Sequence, residues 1–280
     1  MTAHVQPNPH GQGAATMVGG LPMYVGNKPG VQALWKELVS RLRACGLGAA
    51  PELPAWPDDY LAHWREPGLL LSQACGYPLV NALTDQVRVV GAFRYDVIGC
   101  NGIMCRSQVV VRANDPAMAL ADFRGRRVAY NGTDSQSGCN SLRALVAPLA
   151  RDGAFFSSHL ETGGHFKSVL AVRDGLADIA SIDCVSLAEF RKHTPEATHG
   201  IRVLCQTDAY PGLPLVTAAN TTDATLAKLR SVLAQALVDT ELAPLWRALF
   251  IAGFEPVDES VYRPIVAMQE AAFALHYPAL

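Results

Sequence analysis

The amino-acid sequence predicts an α/β protein with two lobes. Short apolar runs typical of strands alternate with amphipathic segments typical of helices along most of the chain. The length of 280 residues exceeds one typical domain. Because such an alternation is typical of a largely parallel sheet covered by helices, we expect each lobe to hold a mixed, mostly parallel sheet flanked by helices.

The composition is that of a folded protein with little net charge. Hydrophobic residues make up 50% of the chain, and the formal net charge is -2. This apolar fraction is enough for a large core, and the near-neutral charge gives no positive field that would attract nucleic acid. No apolar stretch approaches the roughly 20 residues that cross a bilayer. We therefore expect no nucleic-acid binding, no membrane insertion, and a monomer.

Lobe one is predicted to begin after a flexible tail at residues 1–20. The tail lacks the basic start and the apolar core of about 7 to 15 residues that mark an export signal. Beyond it, residues such as Val31, Leu34 and Leu38 recur at helical spacing. The strands predicted in this part are 21–25, 68–73 and 87–93, and the helices are 31–42, 58–64 (capped by Asp58) and 76–83.

A strand predicted at 107–112 leads the chain into lobe two, and the chain returns at roughly residue 208. The further strands predicted in lobe two are 126–130, 160–164, 176–182 and 202–205, and its helices are 137–151, 165–174 and 185–192. After a strand at 215–218, the remainder is predicted to be helical, at 223–238, 243–250 and 261–275. Lobe one therefore comprises 21–107 and 208–280, lobe two comprises 108–207, and the two connecting strands form a hinge beside a cleft.

The segment 130–143 is a candidate anion site. It follows a predicted strand, opens a predicted helix, and carries Thr133, Ser135, Ser137 and Asn140. Backbone N–H groups at a helix start have no helical acceptor, and the helix dipole favours an anion there. A helix cap needs only one such side chain, so their density favours an anion site. The segment lacks the Gly-Lys-Ser/Thr ending of a nucleotide phosphate loop, and we do not expect ATP.

Two further strand ends carry candidate residues. His165 follows Gly163-Gly164 at a predicted helix start, where its ring either donates to an anion or simply caps the helix. Asp183 ends an apolar strand, and it either caps the next helix or accepts a hydrogen bond from an amine or a protonated ligand oxygen. Both pairs of alternatives remain open at the level of sequence.

Four spaced motifs resemble those of the phosphate, phosphite and phosphonate binding components of ABC transporters. They are LLLSQACGYPL, DSQSG-x-N, GGH-x-x-S and ADIASID. The resemblance covers roughly residues 20 to 275. It implies the type 2 periplasmic binding protein fold with two hinge strands, and a periplasmic solute-binding protein, not an enzyme, that closes on a small anionic ligand and feeds an ABC transporter permease.

The resemblance also implies which residues bind the ligand. The family holds the phosphonate group at a lobe-two helix start, with a histidine and an acid nearby, and tyrosines of lobe one complete the site. The candidates in lobe two are Ser135, Ser137, Gly138, Asn140, His165 and Asp183. The candidates in lobe one are Tyr24, Gln73, Tyr77 and Tyr95, which could equally be packing residues. No cofactor and no metal are expected.

The seven cysteines and the tail leave the compartment open. The cysteines lack the CxxC spacing of a zinc site, and the missing export signal suits the cytoplasm, whereas the resemblance implies the periplasm. In an exported protein, Cys75 could be bridged with Cys100, and Cys139 with Cys184.

The alternatives to a transport role are a cytoplasmic enzyme and a ligand sensor on the same fold. An enzyme would use His165 as base or Cys139 as nucleophile, because a helix start lowers the pKa of a cysteine. No spacing of cysteine, histidine and aspartate in the chain is diagnostic of catalysis.

Overall fold

A computed structural model describes residues 17–280, in which thirteen strands form three sheets. Most of the tail predicted at 1–20 lies outside the described residues. The strands are β1 (Val18–Gly20), β2 (Leu69–Gln73), β3 (Val87–Tyr95), β4 (Cys100–Asn101), β5 (Met104–Cys105), β6 (Gln108–Arg112), β7 (Arg127–Tyr130), β8 (Ser158–Glu161), β9 (Ile179–Ile182), β10 (Ile201–Gln206), β11 (Tyr210–Pro211), β12 (Pro214–Ala218) and β13 (Ile251–Glu255).

Ten α-helices lie in the described part of the chain. None of them combines the length and the apolar character that a helix needs to cross a membrane. They are α1 (Lys28–Ala44), α2 (Tyr60–Trp64), α3 (Gly76–Ala82), α4 (Ser141–Val146), α5 (His165–Arg173), α6 (Cys184–His193), α7 (Pro195–Thr198), α8 (Asp223–Val238), α9 (Ala243–Ala248) and α10 (Arg263–Ala274). A single π-helical turn, Gln136–Asn140, precedes α4.

Lobe one denotes the sheet with strand order β1-β2-β12-β3-β13 and the helices around it. Only β1 and β2 pair in parallel in this sheet, and the other three neighbouring pairs are antiparallel. The prediction of a mostly parallel sheet in this lobe is therefore wrong. The reason is that β12 enters between β2 and β3 when the chain returns from lobe two, and it runs against both.

Lobe two denotes the sheet with strand order β10-β6-β9-β7-β8. Its strands β7, β8 and β9 are parallel, and β6 runs against β9 and β10. The three central residues of β6 are valines. Val109 and Val111 pack in one core cluster, whereas Val110 packs in another. Since alternate side chains point to opposite faces, both faces are buried at the centre of this sheet.

Two chain segments connect the lobes. The small third sheet, β11-β5-β4, lies where the chain passes from one lobe to the other. The two connecting segments, which we call the passing segments, contain Ser107 and Thr207 and are hydrogen-bonded to each other. Thr207 N donates to Ser107 O at 3.1 Å, and Ser107 N donates to Thr207 Oγ1 at 2.9 Å.

Several predicted elements differ from those in the structure. Residues 21–25 form no strand, and the first strand is Val18–Gly20, inside the segment predicted to be a flexible tail. Glycine is required there, because a Cβ on Gly19 would lie 2.7 Å from the carbonyl oxygen of Leu71. The glycine content that suggested flexibility thus permits close strand packing. The cap of α2 is Asp59, which accepts a hydrogen bond from Ala62 N, not Asp58.

The C-terminal part also departs from the prediction. The segment after 223, predicted to be entirely helical, contains β13, which pairs with β3 at the sheet edge. Tyr277, which the boundary 208–280 assigned to lobe one, packs in a core cluster of lobe two. Sequence patterns alone did not indicate either contact, because both partners are distant along the chain.

Candidate functional site

A cavity of about 310 Å³ is lined by residues from both lobes. Its lobe-two wall contains Ser137, His165 and Asp183, each at a junction between a strand and a helix. Its lobe-one wall includes Tyr24 and Trp64. The structure therefore brings together predicted residues that lie far apart in sequence.

Ser137 and His165 form a hydrogen-bonded pair in the cavity wall. Ser137 Oγ lies 2.8 Å from His165 Nε2, and His165 Nδ1 is buried without a partner in residues 17–280. Burial lowers the pKa of His165 to about 4, so the ring is neutral near pH 7 and carries one proton. The pair can therefore present a neutral hydrogen-bond donor to a ligand.

The start of α5 adds backbone donors beside this pair. The first hydrogen bond within the helix runs from Ser168 N to Gly164 O, at 3.0 Å. The N–H groups of His165, Phe166 and Lys167 precede that bond, and Gly164 at the N-cap offers no side chain to accept them. These groups and the positive end of the helix dipole favour an anion.

Three buried serines fix the position of Ser137. The hydroxyls of Ser107, Ser141 and Ser181 donate to the carbonyl oxygen of Ser137, at 2.9, 2.9 and 2.7 Å. They lie in the connecting segment before β6, in α4 and in β9, so the π-helical turn is held in place from three separate parts of the chain. Sequence reasoning missed them, because a single serine in a helix, or in or beside an apolar strand, carries no distinguishing signal.

The other candidates in the 135–140 segment have mainly structural partners. Ser135 lines the cavity, but its Oγ accepts the N–H of Gly138 at 3.0 Å and so caps the turn. A Cβ on Gly138 would clash with Asn131 Oδ1, so glycine leaves room for that side chain. Asn140 is fully buried outside the cavity lining. Its amide donates to Gln136 Oε1 at 2.7 Å and accepts from Arg143 at 2.6 Å.

Two buried carboxyl groups lie on the side of the cavity where α6 begins. Asp183 caps α6 by accepting the N–H of Ser186 at 2.9 Å, and it also accepts the Tyr24 hydroxyl at 3.4 Å. Glu189 accepts the N–H of Gly26 at 2.9 Å. Burial raises the pKa of each carboxyl to about 7.

Carboxyl groups dominate the charge of this cavity. Asp134 joins Asp183 and Glu189 in the lining, and no lysine or arginine side chain among residues 17–280 lines it. Sequence reasoning missed Glu189. The available signal was its spacing, because Ser186 and Glu189 are three residues apart and so share one face of the helix that Asp183 caps.

The lobe-one candidates take different positions. Tyr24 lines the cavity, and its ring packs edge-on against Tyr95 at 5.3 Å between centroids. Gln73 Nε2 donates to the Tyr95 hydroxyl at 2.8 Å, and both residues lie behind Tyr24, outside the cavity lining. Tyr77 lines a different cavity beside the C-terminal residues 278–280.

Aromatic residues that sequence reasoning did not select complete the lobe-one wall. Tyr60 and Trp64 line the cavity from α2, with ring centroids 5.6 Å apart. Trp64 Nε1 donates to Gln73 O at 3.1 Å, and the Tyr60 hydroxyl donates to Pro22 O at 3.2 Å. An aromatic pair in a short helix is equally typical of core packing, so the sequence held no signal for this role.

The expectations for the cysteines are wrong in two respects. Cys100 lies next to Cys105 and Cys184, so the pairings of Cys75 with Cys100 and of Cys139 with Cys184 do not fit the structure. Burial raises the pKa of the Cys139 thiol to about 11, opposite to the expected lowering. Cys139 also lines the cavity that contains Tyr77, away from the Ser137–His165 pair.

Comparison with known proteins identifies both a family and a fold. A family model described as the periplasmic substrate-binding protein of phosphonate ABC transporters matches residues 71–262. The structure resembles a binding component of an ABC phosphonate transporter from Pseudomonas aeruginosa, with a TM-score of 0.75, 15% identity, and coverage of 94% of this chain and 88% of that one. No curated protein matches the chain.

Two further solved structures are similar over nearly their whole length. PhnD1 from Prochlorococcus marinus, in complex with methylphosphonate, has a TM-score of 0.72 and 14% identity, and covers 91% of this chain and 96% of its own. A Xanthomonas citri protein bound to ATP has a TM-score of 0.68 and 18% identity, and covers 93% and 98%. These likenesses confirm the predicted type 2 periplasmic binding protein fold.

Proposed function

The chain belongs to the family of periplasmic substrate-binding proteins of phosphonate ABC transporters, and on that basis we propose that it captures a small phosphonate that also carries a cationic amino group. One observation carries this proposal. Within a single cavity, the neutral hydrogen-bonded pair of Ser137 and His165 lines the same space as the buried carboxyl groups of Asp183 and Glu189. From its family we also propose that the chain works in the periplasm and delivers the bound phosphonate to a permease in the membrane.

The phosphonate oxygens bind at the lobe-two wall. Because no lysine or arginine of residues 17–280 lines the cavity, the anion is held by the Ser137–His165 pair and the open N–H groups at the start of α5. Hydrogen bonds to a charged group contribute about 1.5 to 3 kcal/mol each. Three or four of them reach the roughly 8 kcal/mol that corresponds to micromolar affinity.

The amino group of the ligand binds at the carboxyl side. An anion alone would meet the unfavourable potential of Asp134, Asp183 and Glu189. An ammonium group on the same ligand converts that repulsion into attraction and supplies donors for the carboxylate oxygens. A phosphonate with a short aminoalkyl chain therefore matches the cavity better than inorganic phosphate or a simple alkylphosphonate.

Closure of the two lobes accompanies binding. Contacts across the cavity join the lobes through Tyr24 and Asp183, through Gly26 and Glu189, and through Gln136 N and Cys75 Sγ at 3.5 Å. We place the hinge at the passing segments near Ser107 and Thr207, with lobe two at 108–207. A ligand that contacts both walls stabilises this closed arrangement.

The enzyme alternative is not favoured. Cys139, its candidate nucleophile, is buried outside the cavity and its pKa is raised. His165 remains as a base, but its closest polar partner is the Ser137 hydroxyl, which suits the binding of an anion equally well.

Thermal unfolding with a matched ligand panel tests the proposal. The panel is 2-aminoethylphosphonate, ethylphosphonate, methylphosphonate, phosphite, phosphate and 2-aminoethylsulfonate. A ligand at 100 times its Kd adds about 2.7 kcal/mol to the stability of the folded state, which raises Tm by a few degrees. We expect the largest shift with 2-aminoethylphosphonate.

The panel separates the two parts of the proposal. If ethylphosphonate shifts Tm as much as 2-aminoethylphosphonate at equal concentration, the carboxyl groups do not bind an amino group. If no phosphorus compound shifts the Tm of folded, ligand-free protein, the phosphonate-binding function itself is rejected.

A further inference from the structure

Three cysteines converge beside the hinge, outside the lining of the ligand cavity. Cys100 and Cys105 face each other in the β4-β5 hairpin, and Cys184 is the first residue of α6. Cys100 Sγ lies 2.8 Å from Cys105 Sγ and 3.4 Å from Cys184 Sγ. The three sulfur atoms all lie within 4.8 Å of one another. Cys184 is far from the other two in the sequence, and the fold brings it to the hairpin.

The backbone sets this arrangement. Gly99 has a φ of +110°, and a Cβ there would lie 3.0 Å from the Cβ of Cys184. A glycine at this position lets the hairpin approach the start of α6. Arg106 N donates to Gly99 O at 2.8 Å, and Gln108 Nε2 donates to Ile98 O at 3.0 Å. These bonds anchor both ends of the hairpin.

The cluster is mostly buried and consists of thiols alone. Cys105 and Cys184 are each only 2% exposed, and Cys100 is partly exposed. No histidine, aspartate or glutamate in the described part of the chain joins the three thiols as a further ligand. Cys184 and Ile98 also border a surface cavity of about 420 Å³, which provides a route of entry.

We propose that Cys100, Cys105 and Cys184 bind one thiophilic metal ion, of the class of Zn²⁺ and Cu⁺. Thiolate ligands select these ions over hard cations such as Mg²⁺ and Ca²⁺. A Zn–S distance of about 2.3 Å places the sulfur atoms of such a site roughly 3.7 to 4 Å apart. Binding must therefore widen the Cys100–Cys105 separation of 2.8 Å by about 1 Å, and the Cys100–Cys184 separation of 3.4 Å by less. Each coordinating thiol releases its proton when the ion binds.

An ion at this position would join the two lobes. Cys100 and Cys105 precede the passing segment at Ser107, whereas Cys184 follows β9 of lobe two. The bound ion would hold the start of α6 against the β4-β5 hairpin. The site is separate from the proposed phosphonate site, although Asp183, which precedes Cys184, lines that cavity.

Metal titration of the reduced chain of 280 residues under anaerobic conditions tests the proposal. Zn²⁺ and Cu⁺ are each titrated in competition with a chromophoric chelator. We expect one ion per chain for at least one of the two metals. Cys100→Ser, Cys105→Ser and Cys184→Ser should each weaken the binding of that metal by about 100-fold or more. This loss exceeds the roughly 10- to 100-fold loss that is typical when a residue that only supports a metal ligand is removed. Cys205→Ser is the control and should bind as the wild type does.

Alkylation of the wild-type chain tests the same site without relying on variants that fold poorly. Bound metal should slow the alkylation of Cys100, relative to that of the partly exposed Cys45 and Cys205. The proposal is overturned if neither ion binds to reduced, folded protein, or if the three variants bind as the wild type does. It is equally overturned if the reduced chain binds no metal and oxidation simply joins Cys100 to Cys105 or Cys184.

Discussion

The two walls of the ligand cavity are built from different kinds of chain segment. In lobe two, Ser137, His165 and Asp183 follow the parallel strands β7, β8 and β9, whose carboxyl ends meet at one edge of the sheet. In lobe one, Tyr24 comes from a loop, and Tyr60 and Trp64 come from a short helix. The comparison shows that local junction motifs supply the polar groups, whereas contacts between distant segments supply the aromatic surface.

The largest effect we expect is on the way the free energy of unfolding depends on pH. It comes from Glu189, which lies where the two walls meet. Its pKa is raised to about 7, mainly by burial and further by the charge of Asp183, against the opposing effects of Gly26 N–H and Lys192. The folded state thus holds a proton that the unfolded state loses near pH 4.5. The stability that this proton contributes is complete below about pH 4.5 and is lost as the pH rises to about 7.

Glu189→Gln should remove this loss of stability between about pH 4.5 and pH 7. For a pKa shift of this size, the loss amounts to about 3 kcal/mol in the free energy of unfolding. Urea unfolding of both proteins between pH 4.5 and pH 7.5 measures the difference. His165, whose lowered pKa acts in the opposite direction, is common to both proteins. Parallel stability curves would show that Glu189 titrates normally and that the two walls are not coupled through it.

The second prediction addresses the lobe-two wall. Ser137→Ala and His165→Ala should each weaken the binding of 2-aminoethylphosphonate by about 1.5 to 3 kcal/mol, or roughly 10- to 150-fold, because each breaks the hydrogen-bonded pair that donates to a charged oxygen. Isothermal titration measures the loss, with Lys167→Ala as the control on an exposed residue of the same helix. An unchanged affinity in either variant would remove that residue from the site.

The third prediction separates structural residues from binding residues within one motif. Asn140→Ala should lower the free energy of unfolding by about 1 to 3 kcal/mol, because it leaves buried partners such as Arg143 and Gln136 unpaired. The affinity of the folded variant should stay within about twofold of the wild type. A large loss of affinity with unchanged stability would place Asn140 in the binding site after all.

The smallest effect is expected at the lobe-one wall. Tyr24→Phe removes the hydroxyl that contacts Asp183 and should weaken binding by about 0.5 to 1.5 kcal/mol. Tyr77→Phe is the matched control, because Tyr77 lines a different cavity, and it should leave affinity unchanged. An equal loss in both variants, measured by titration with 2-aminoethylphosphonate, would contradict the difference in position between these tyrosines.

Much of the lobe-two wall could be predicted from the sequence. Ser137, His165 and Asp183 all line the cavity, because each belongs to a strand-to-helix junction whose residues are adjacent in the chain. Their roles as ligand contacts remain predictions. Gln73 and Tyr95, which also occur at strand ends, lie behind Tyr24. The position of a strand end does not reveal whether another side chain covers it.

Other contributions to the site carry no local signal. Ser107, Ser141 and Ser181 meet at the carbonyl of Ser137 only because three elements pack together. Glu189 reaches Gly26 across the two lobes. Such contacts depend on the packing of distant segments, which hydrophobic periodicity does not specify.

By itself, the sequence determined the alternation of strands and helices, the two-lobe α/β class and the polar junctions, since these follow from side-chain periodicity and from short motifs. The tertiary structure alone decided the antiparallel insertion of β12, the strand formed by Val18–Gly20, the aromatic wall and the cluster of Cys100, Cys105 and Cys184. The physical reason is that strand order, burial and distance between groups depend on contacts between residues far apart in the chain, which no local pattern contains.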